Sequence, residues 1–206
     1  MCSEAISCCQ VYEEMTNLLS GKKFIRNYSR RIIIGNEEQY TVQTELFPVE
    51  ALKVYSAWNL EDSIRDEDRT KYFSAHRGGS QGDYREGMRK KIANVVECLH
   101  QFPQSKRAVI TIPNNPHHCH ESDGDSKCMR EIHFYLNEGQ DALNATVWMR
   151  AQAAEIFPKN IHFISSLMER VANELNLTNG IEDETKEIKP GELFYLATTL
   201  VSMRED

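Results

Sequence analysis

Cys128-Met129-Arg130-Glu131-Ile132-His133-Phe134-Tyr135-Leu136, then Asn137-Glu138-Gly139-Gln140, then Leu143-Asn144-Ala145-Thr146-Val147-Trp148-Met149-Arg150 is the stretch whose reading decides the fold. Apolar and polar residues alternate on either side of a short Gly-containing turn, the pattern of a β-hairpin with one face toward a core. A period of two points Arg150 to the same side as Asn144, Thr146 and Trp148. The hairpin therefore has a thiol at its entrance and a guanidinium at its exit. A few residues later comes Phe157-Pro158-Lys159-Asn160-Ile161-His162. A thiol, a guanidinium and an amide in that order describe a nucleophile, an anion clamp and a base-reading group, a set suited to covalent chemistry on a nucleotide ring.

Outward from the hairpin, Ile161, Ile164, Met168, Val171 and Leu175 predict a long helix ending near Asn179-Gly180, and Gly191 to Met203 reads as a closing strand. On the other side, Arg107 to Ile112 is a short apolar strand. Met88, Ile92, Val95, Val96 and Leu99 place a helix over 86–101, ending before Pro103. Nearer the start, Ile6, Val11, Met15, Leu18 and Leu19 predict a helix over 4–20 with Gly21 as its stop. Arg30 to Thr44 reads as two strands around Gly35-Asn36, and Pro48 to Trp58 as a helix carrying Leu52, Tyr55 and Trp58. The polar run His76-Arg77-Gly78-Gly79-Ser80-Gln81-Gly82-Asp83 lacks both the spacing and the Lys-Ser/Thr ending of a phosphate-cradling P-loop, and is expected to be a plain loop. The mixed order predicts an α+β fold in a single domain over 1–206.

The chain has 206 residues, enough for one domain with a full core. Its net charge of −7 argues against a protein that coats nucleic acid, which needs a surplus of Lys and Arg on one face. No run approaches the ~20 apolar residues of a spanning helix. Met1-Cys2-Ser3-Glu4 has neither the basic region nor the apolar core of a signal peptide, so no membrane partner and a cytoplasmic location are expected. The six cysteines (2, 8, 9, 98, 119 and 128) have no disulfide-scaffold rhythm and are read as free thiols. Cys8, Cys9 and Cys98 fall in apolar helical patterns and are expected to pack. The segment His117-His118-Cys119-His120-Glu121, with Asp123 and Cys128, offers ligands suited to zinc, but its spacing fits no established finger or protease pattern. A solvated loop and no metal are expected there.

Four ordered segments carry a resemblance: Lys106-Arg107-Ala108-Val109-Ile110-Thr111-Ile112-Pro113-Asn114, then Cys128 to Leu136, then Trp148-Met149-Arg150, then Phe157 to His162. Together they look like the central block of thymidylate synthases and their relatives, the pyrimidine nucleotide hydroxymethylases. The resemblance implies a mixed sheet with packed helices and a pyrimidine nucleoside monophosphate as substrate. Cys128 would add to C6 of the ring, so that C5 can attack a one-carbon donor, methylenetetrahydrofolate. Arg150 would bind the phosphate beside the thiol. Lys106 and Arg107 would reach the phosphate in a partner subunit, which implies a homodimer. Asn160 would read the polar edge of the base, with Asn114 and His133 completing the substrate set; His133 stands where a Gln is expected. Glu50, or failing that Glu61, is the candidate for the carboxylate that relays protons through water.

The departures are as specific. Lys127 and Met129 flank the thiol where Pro and His are usual, Ala151 replaces a serine, and no aspartate stands in Gln152-Ala153-Ala154. Val201 and Met203 stand where the family has a His-x-Tyr pair that grips the sugar, and with Asp206 as the last residue a segment closing over folate is expected to be missing. The implied activity is C5 methyl or hydroxymethyl transfer. The alternative is a nucleotide-binding protein of the same fold with altered chemistry.

Overall fold

A computed structural model describes residues 4–73, 83–113, 127–181, 183 and 186–203. In chain order its elements are β1 (Ile6–Ser7), α1 (Cys8–Leu18), β2 (Phe24–Ile33), α2 (Glu37–Tyr40), α3 (Val49–Asn59), α4 (Asp66–Tyr72), α5 (Met88–Gln101), β3 (Val109–Thr111), β4 (Met129–Leu136), β5 (Ala142–Met149), β6 (Gln152–Ala153), a 3₁₀ turn (Ala154–Ile156), α6 (Phe157–Thr178) and β7 (Lys189–Val201).

The hairpin forms as the alternation predicts. β4 and β5 pair antiparallel, with Leu136 opposite Leu143 and Met129 opposite Met149. The Asn137 carboxamide oxygen accepts the backbone N–H groups of Asp141 and Ala142, fastening the turn. Ile132, Phe134, Leu143, Ala145, Val147 and Met149 are fully buried on the inner face. Glu131, His133, Tyr135, Asn144, Thr146 and Trp148 lie on the outer one.

The sheet runs β1-β2-β7-β5-β4-β3, with β6 beside the end of β7. β7 is antiparallel to β2 but parallel to β5. Parallel neighbours need a long crossover, and α6 supplies it. This helix carries Pro158 in its first turn, where a missing N–H costs nothing. Phe157, Ile161, Phe163, Ile164, Leu167, Met168, Val171 and Leu175 are buried along it, and α3 and α5 pack on it. Helices α1, α5 and α6 pack against the strands of the sheet. The result is a mixed α+β architecture.

Two regions differ from expectation. Strand β2 begins at Phe24, earlier than expected, and the second strand expected after Gly35-Asn36 does not form. There Asn36 caps α2 instead: its side chain accepts the Gln39 N–H at 3.1 Å while Gln39 accepts the Asn36 N–H at 2.9 Å. Reciprocal capping outweighs the strand preference of the residues that follow, and Tyr40 and Val42 turn into the core. The exposed helix α4 was not expected, although Asp66, Glu67 and Asp68 in its first turn and Arg69 and Lys71 in its last suit the helix dipole. The run 76–83 falls almost wholly outside the described residues, as does the segment 117–123. Among the described residues no helix is long and apolar enough to cross a membrane, and Cys8, Cys9, Cys98 and Cys128 are not in disulfides.

α6 also buries His162 between α2 and α3. Its Nδ1 lies 2.7 Å from Ser56 Oγ, and Tyr40 presents its ring edge at 5.3 Å. Burial pushes the imidazole down to about 4, with Glu37 opposing and Lys53 reinforcing the shift. An unfolded histidine takes up its proton near pH 6.5, so stability from this group is complete above that pH and is lost as pH falls toward 4. Chemical unfolding should show wild type losing roughly 3 kcal/mol more than a His162→Gln variant between pH 7.5 and pH 4.

Candidate functional site

Cys128 lies immediately before β4, half-buried against the core. The Arg150 N–H donates to its carbonyl at 2.8 Å, extending the β4–β5 ladder past the Met129–Met149 pair. The Arg150 guanidinium Nε donates to the Lys127 carbonyl at 3.3 Å. The residues at the two ends of the hairpin are thus fastened together through the main-chain carbonyls of Lys127 and Cys128. A bulge between Met129 and Glu131 lets both Met129 and Ile132 face the core three positions apart, setting the thiol at an irregular strand start.

Four side chains from other elements gather here: Tyr55 of α3, Tyr84 from the segment before α5, Lys159 in the first turn of α6, and Tyr195 of β7. Cys128 acts electrostatically on each of them. Tyr84 is held at both ends. Its N–H donates to the carboxamide oxygen of the fully buried Asn59 at 2.6 Å, and the Asn59 Nδ2 donates to the Tyr55 carbonyl at 3.0 Å. Its hydroxyl accepts the Met129 N–H at 3.3 Å, and its ring stacks on Phe163 at 5.6 Å. A second chain of polar groups runs alongside: Asn160 Nδ2 donates to Gln152 Oε1 at 2.9 Å, and the Tyr195 hydroxyl donates to the same oxygen.

Burial dominates the electrostatics. It pushes Tyr55, Tyr84 and Tyr195 well above the ordinary phenol range, with charge on Cys128 adding to each rise, so all three are neutral donors near pH 7. Lys159 is only 4 % exposed, and its ammonium sits 4.6 Å from the centre of the Tyr55 ring. Burial pulls this lysine down to about 8, opposed by Cys128. The cluster thus offers one thiol, one buried amine, three phenols and a guanidinium. It can attack an electrophilic ring carbon, hydrogen-bond polar ring edges and attract an anion.

The structure brings together Cys128 and Arg150, and links Asn160 to the same cluster through Gln152 and Tyr195. Glu50 does not join them. It is exposed, whereas α3 turns Leu52, Tyr55, Ser56 and Asn59 inward, so Tyr55 rather than a carboxylate faces the thiol. Glu61 is spent on capping α5, its carboxylate accepting the Arg89 N–H at 2.9 Å. His133 lies on the outer face of β4, beside Tyr135, and its Nε2 is buried without a partner among the described residues. Lys106 and Arg107 are exposed where the chain enters β3. Val109 stands opposite His133 and Thr111 opposite Glu131, so the basic pair lies at the far end of β4, roughly 20 Å along the strand from Cys128. A cavity of about 800 Å³ lined by Cys98, Phe102, Lys106 and Arg107 belongs to that far end, not to the thiol. Asn114 lies outside the described residues. The sequence reading missed Tyr55, Tyr84, Gln152, Lys159 and Tyr195 as site residues. Of these, only Tyr195 carried a signal, a polar-tipped residue in register with the inward Leu193 and Ala197.

No family model and no curated protein sequence matches the chain. Among solved structures, its architecture is that of the thymidylate synthase fold. The thymidylate synthase of T4 phage is similar with a TM-score of 0.67 over 95 % of this chain and 77 % of that one, at 15 % identity. Such a likeness shows a shared fold, the mixed sheet with packed helices that the resemblance implies.

Proposed function

We propose that the chain binds a pyrimidine nucleoside monophosphate and activates its ring through Cys128 for one-carbon transfer to C5. The supporting observation is the fastening of Cys128 to Arg150 at the open end of the hairpin, beneath three neutral phenols. The thiolate forms a bond to C6, and the C5–C6 π electrons move to C5 and onto O4. Phenol and amide groups around Tyr84 and the Asn160–Gln152–Tyr195 chain donate to the polar edge where that charge develops. Arg150 attracts the phosphate. C5 then takes a proton from water or attacks a one-carbon electrophile. Loss of the C5 proton and expulsion of the thiolate restore the double bond.

Methylenetetrahydrofolate is the donor that the resemblance implies, and it would supply the one-carbon unit. Among the described residues, the aromatic surface near the thiol does not fit a pterin ring. Tyr55 is covered by Lys159, Phe73 and Phe163, and Trp58 carries the guanidinium groups of Arg69 and Arg85 within 4.4 Å of its ring centre. The test is release of isotope from C5-labelled uridylate or cytidylate, in ribose and deoxyribose forms, without added donor. Release with at least one of them supports the proposal. Nucleotide binding without release supports a second reading, favoured by the outward Glu50, in which the site binds nucleotide and has lost the proton relay. In either case Arg150→Ala should weaken nucleotide binding by about 10- to 100-fold.

The outer sheet face extends the proposal to a homodimer. It exposes Ile33, Tyr135, Trp148 and Phe194 and includes His133 Nε2, which has no partner among the described residues, while Lys106 and Arg107 lie too far from Cys128 to serve their own chain's site. Sedimentation should show wild type as a dimer. The double substitution Tyr135→Asp and Trp148→Asp is expected to weaken self-association at least a hundredfold, because it places like charges in a desolvated apolar patch.

A further inference from the structure

We infer that Lys159 is the residue that holds Cys128 in its nucleophilic form, its ammonium standing as a fixed counter-charge on the helix side of the thiol. This rests on Cys128 being the reactive group of the proposed function, but it assigns a task separate from phosphate binding by Arg150. Lys159 enters the cluster from α6, whereas Arg150 approaches along the hairpin and donates to the Lys127 carbonyl. The lysine is 4 % exposed, with its ammonium over Tyr55, a side chain that itself responds to charge on Cys128. A lysine so deeply buried on the face of Tyr55, within electrostatic reach of a thiol, is uncommon without a use for its charge.

The other groups around the thiol leave this role open to it. Tyr55, Tyr84 and Tyr195 are neutral near pH 7 because burial raises all three. Asp83 acts on Tyr55 from the segment before α5, and Arg130 and Arg150 act on Tyr84 from the hairpin. Lys127 precedes the thiol in the chain. Arginines keep their charge throughout the accessible pH range, whereas Lys159 gives up its proton at about 8. The thiolate–ammonium pair therefore has an upper pH limit that an arginine–thiolate pair lacks.

A purely structural lysine, its stem packed and its head on an aromatic face, would leave the titration of Cys128 unchanged. The full chain is treated with iodoacetamide between about pH 5 and pH 10, and the rate at Cys128 is read by peptide mass spectrometry. Lys159→Met is expected to raise the pH midpoint of Cys128 alkylation by about one unit and to slow the reaction at pH 7 about tenfold. Lys159→Arg, which keeps the charge, should stay within a few tenths of a unit of wild type. Thermal unfolding checks that both variants are native, and Lys159→Gln replaces the Met variant if that one is not. An unchanged midpoint in the neutral variant, or equal shifts in the neutral and charged variants, overturns the inference while leaving Cys128 as nucleophile. A wild-type Cys128 that reacts no faster than the exposed Cys9 overturns the nucleophile itself and this inference with it.

Discussion

Cys128→Ser is expected to lower C5 isotope release by about a thousandfold or more while changing nucleotide affinity by less than about threefold. A serine hydroxyl is nearly the same size as the thiol, so the half-buried position and the Arg150 N–H bond to the residue 128 carbonyl both survive. What changes is the nucleophile. A thiol can be drawn into its anionic form near neutral pH, while an alcohol needs an adjacent base to lose its proton. The three phenols around Cys128 are neutral and Lys159, at about 8, is mostly protonated at pH 7, so neither stands ready to take a serine proton. A thousandfold loss is about 4 kcal/mol of transition-state stabilisation. Arg150→Ala should show the complementary pattern, a loss carried mainly by binding. A serine variant that releases isotope at the wild-type rate would remove covalent addition from the mechanism.

Much of the sheet was legible because its determinants are local. The hairpin declared itself by strict alternation around Asn137-Glu138-Gly139-Gln140, and α6 by apolar residues at helical spacing up to Asn179-Gly180. The first strand region misled because the run from Tyr40 to Thr44 has strand-forming residues, while capping chemistry at Asn36 and Gln39 decides the backbone. The same division runs through the site. Cys128 and Arg150 could be paired from sequence because they bracket one hairpin, and Asn160 because it opens the next helix. Tyr55, Tyr84 and Tyr195 could not, since they come from α3, a loop and β7, and tertiary packing alone brings them to the thiol. Glu50 was chosen as a carboxylate on the right helix, but it lies five residues before Tyr55, about 140° around the helix from the inward face. A sequence pattern places a residue on an element; which side of that element meets the site depends on its neighbours.

Tyr55 in the place expected of a carboxylate also ties the altered polar set to Lys159. A carboxylate near C5 would move protons and would also repel a thiolate. A neutral phenol does neither, and it presents an aromatic face on which an ammonium can rest. On the proposed reading, the cluster gives cationic support to an anion rather than an acid–base pair, which suits ring activation better than proton relay. This is why exchange at C5, which needs addition to C6 and only water for protons, is the informative reaction for this chain.

Lys159→Met should stabilise the protein by about 3 kcal/mol at pH 7 even as it slows the thiol. In the unfolded chain this lysine keeps its proton up to about pH 10.5, while in the folded protein burial lets it go at about 8. Between those values the unfolded state binds the extra proton, so stability rises with pH across the window. Below about 8 both states are protonated and the full penalty of burying the ammonium is present. Methionine keeps a long flexible stem against Tyr55 and removes the charge, and burying an apolar head where an ion stood relieves the desolvation. For a chain of this length the gain corresponds to roughly 6–12 °C in Tm. Wild type should become more stable from pH 8 to pH 10 relative to the variant, whose profile loses that slope. Stability and thiol reactivity should therefore move in opposite directions on a single substitution. A residue retained only for packing predicts the reverse, since replacing it should destabilise the fold and leave Cys128 alkylation as it was. A variant that melts at or below the wild-type temperature would show that the Tyr55 contact stabilises the lysine head more than burial penalises it.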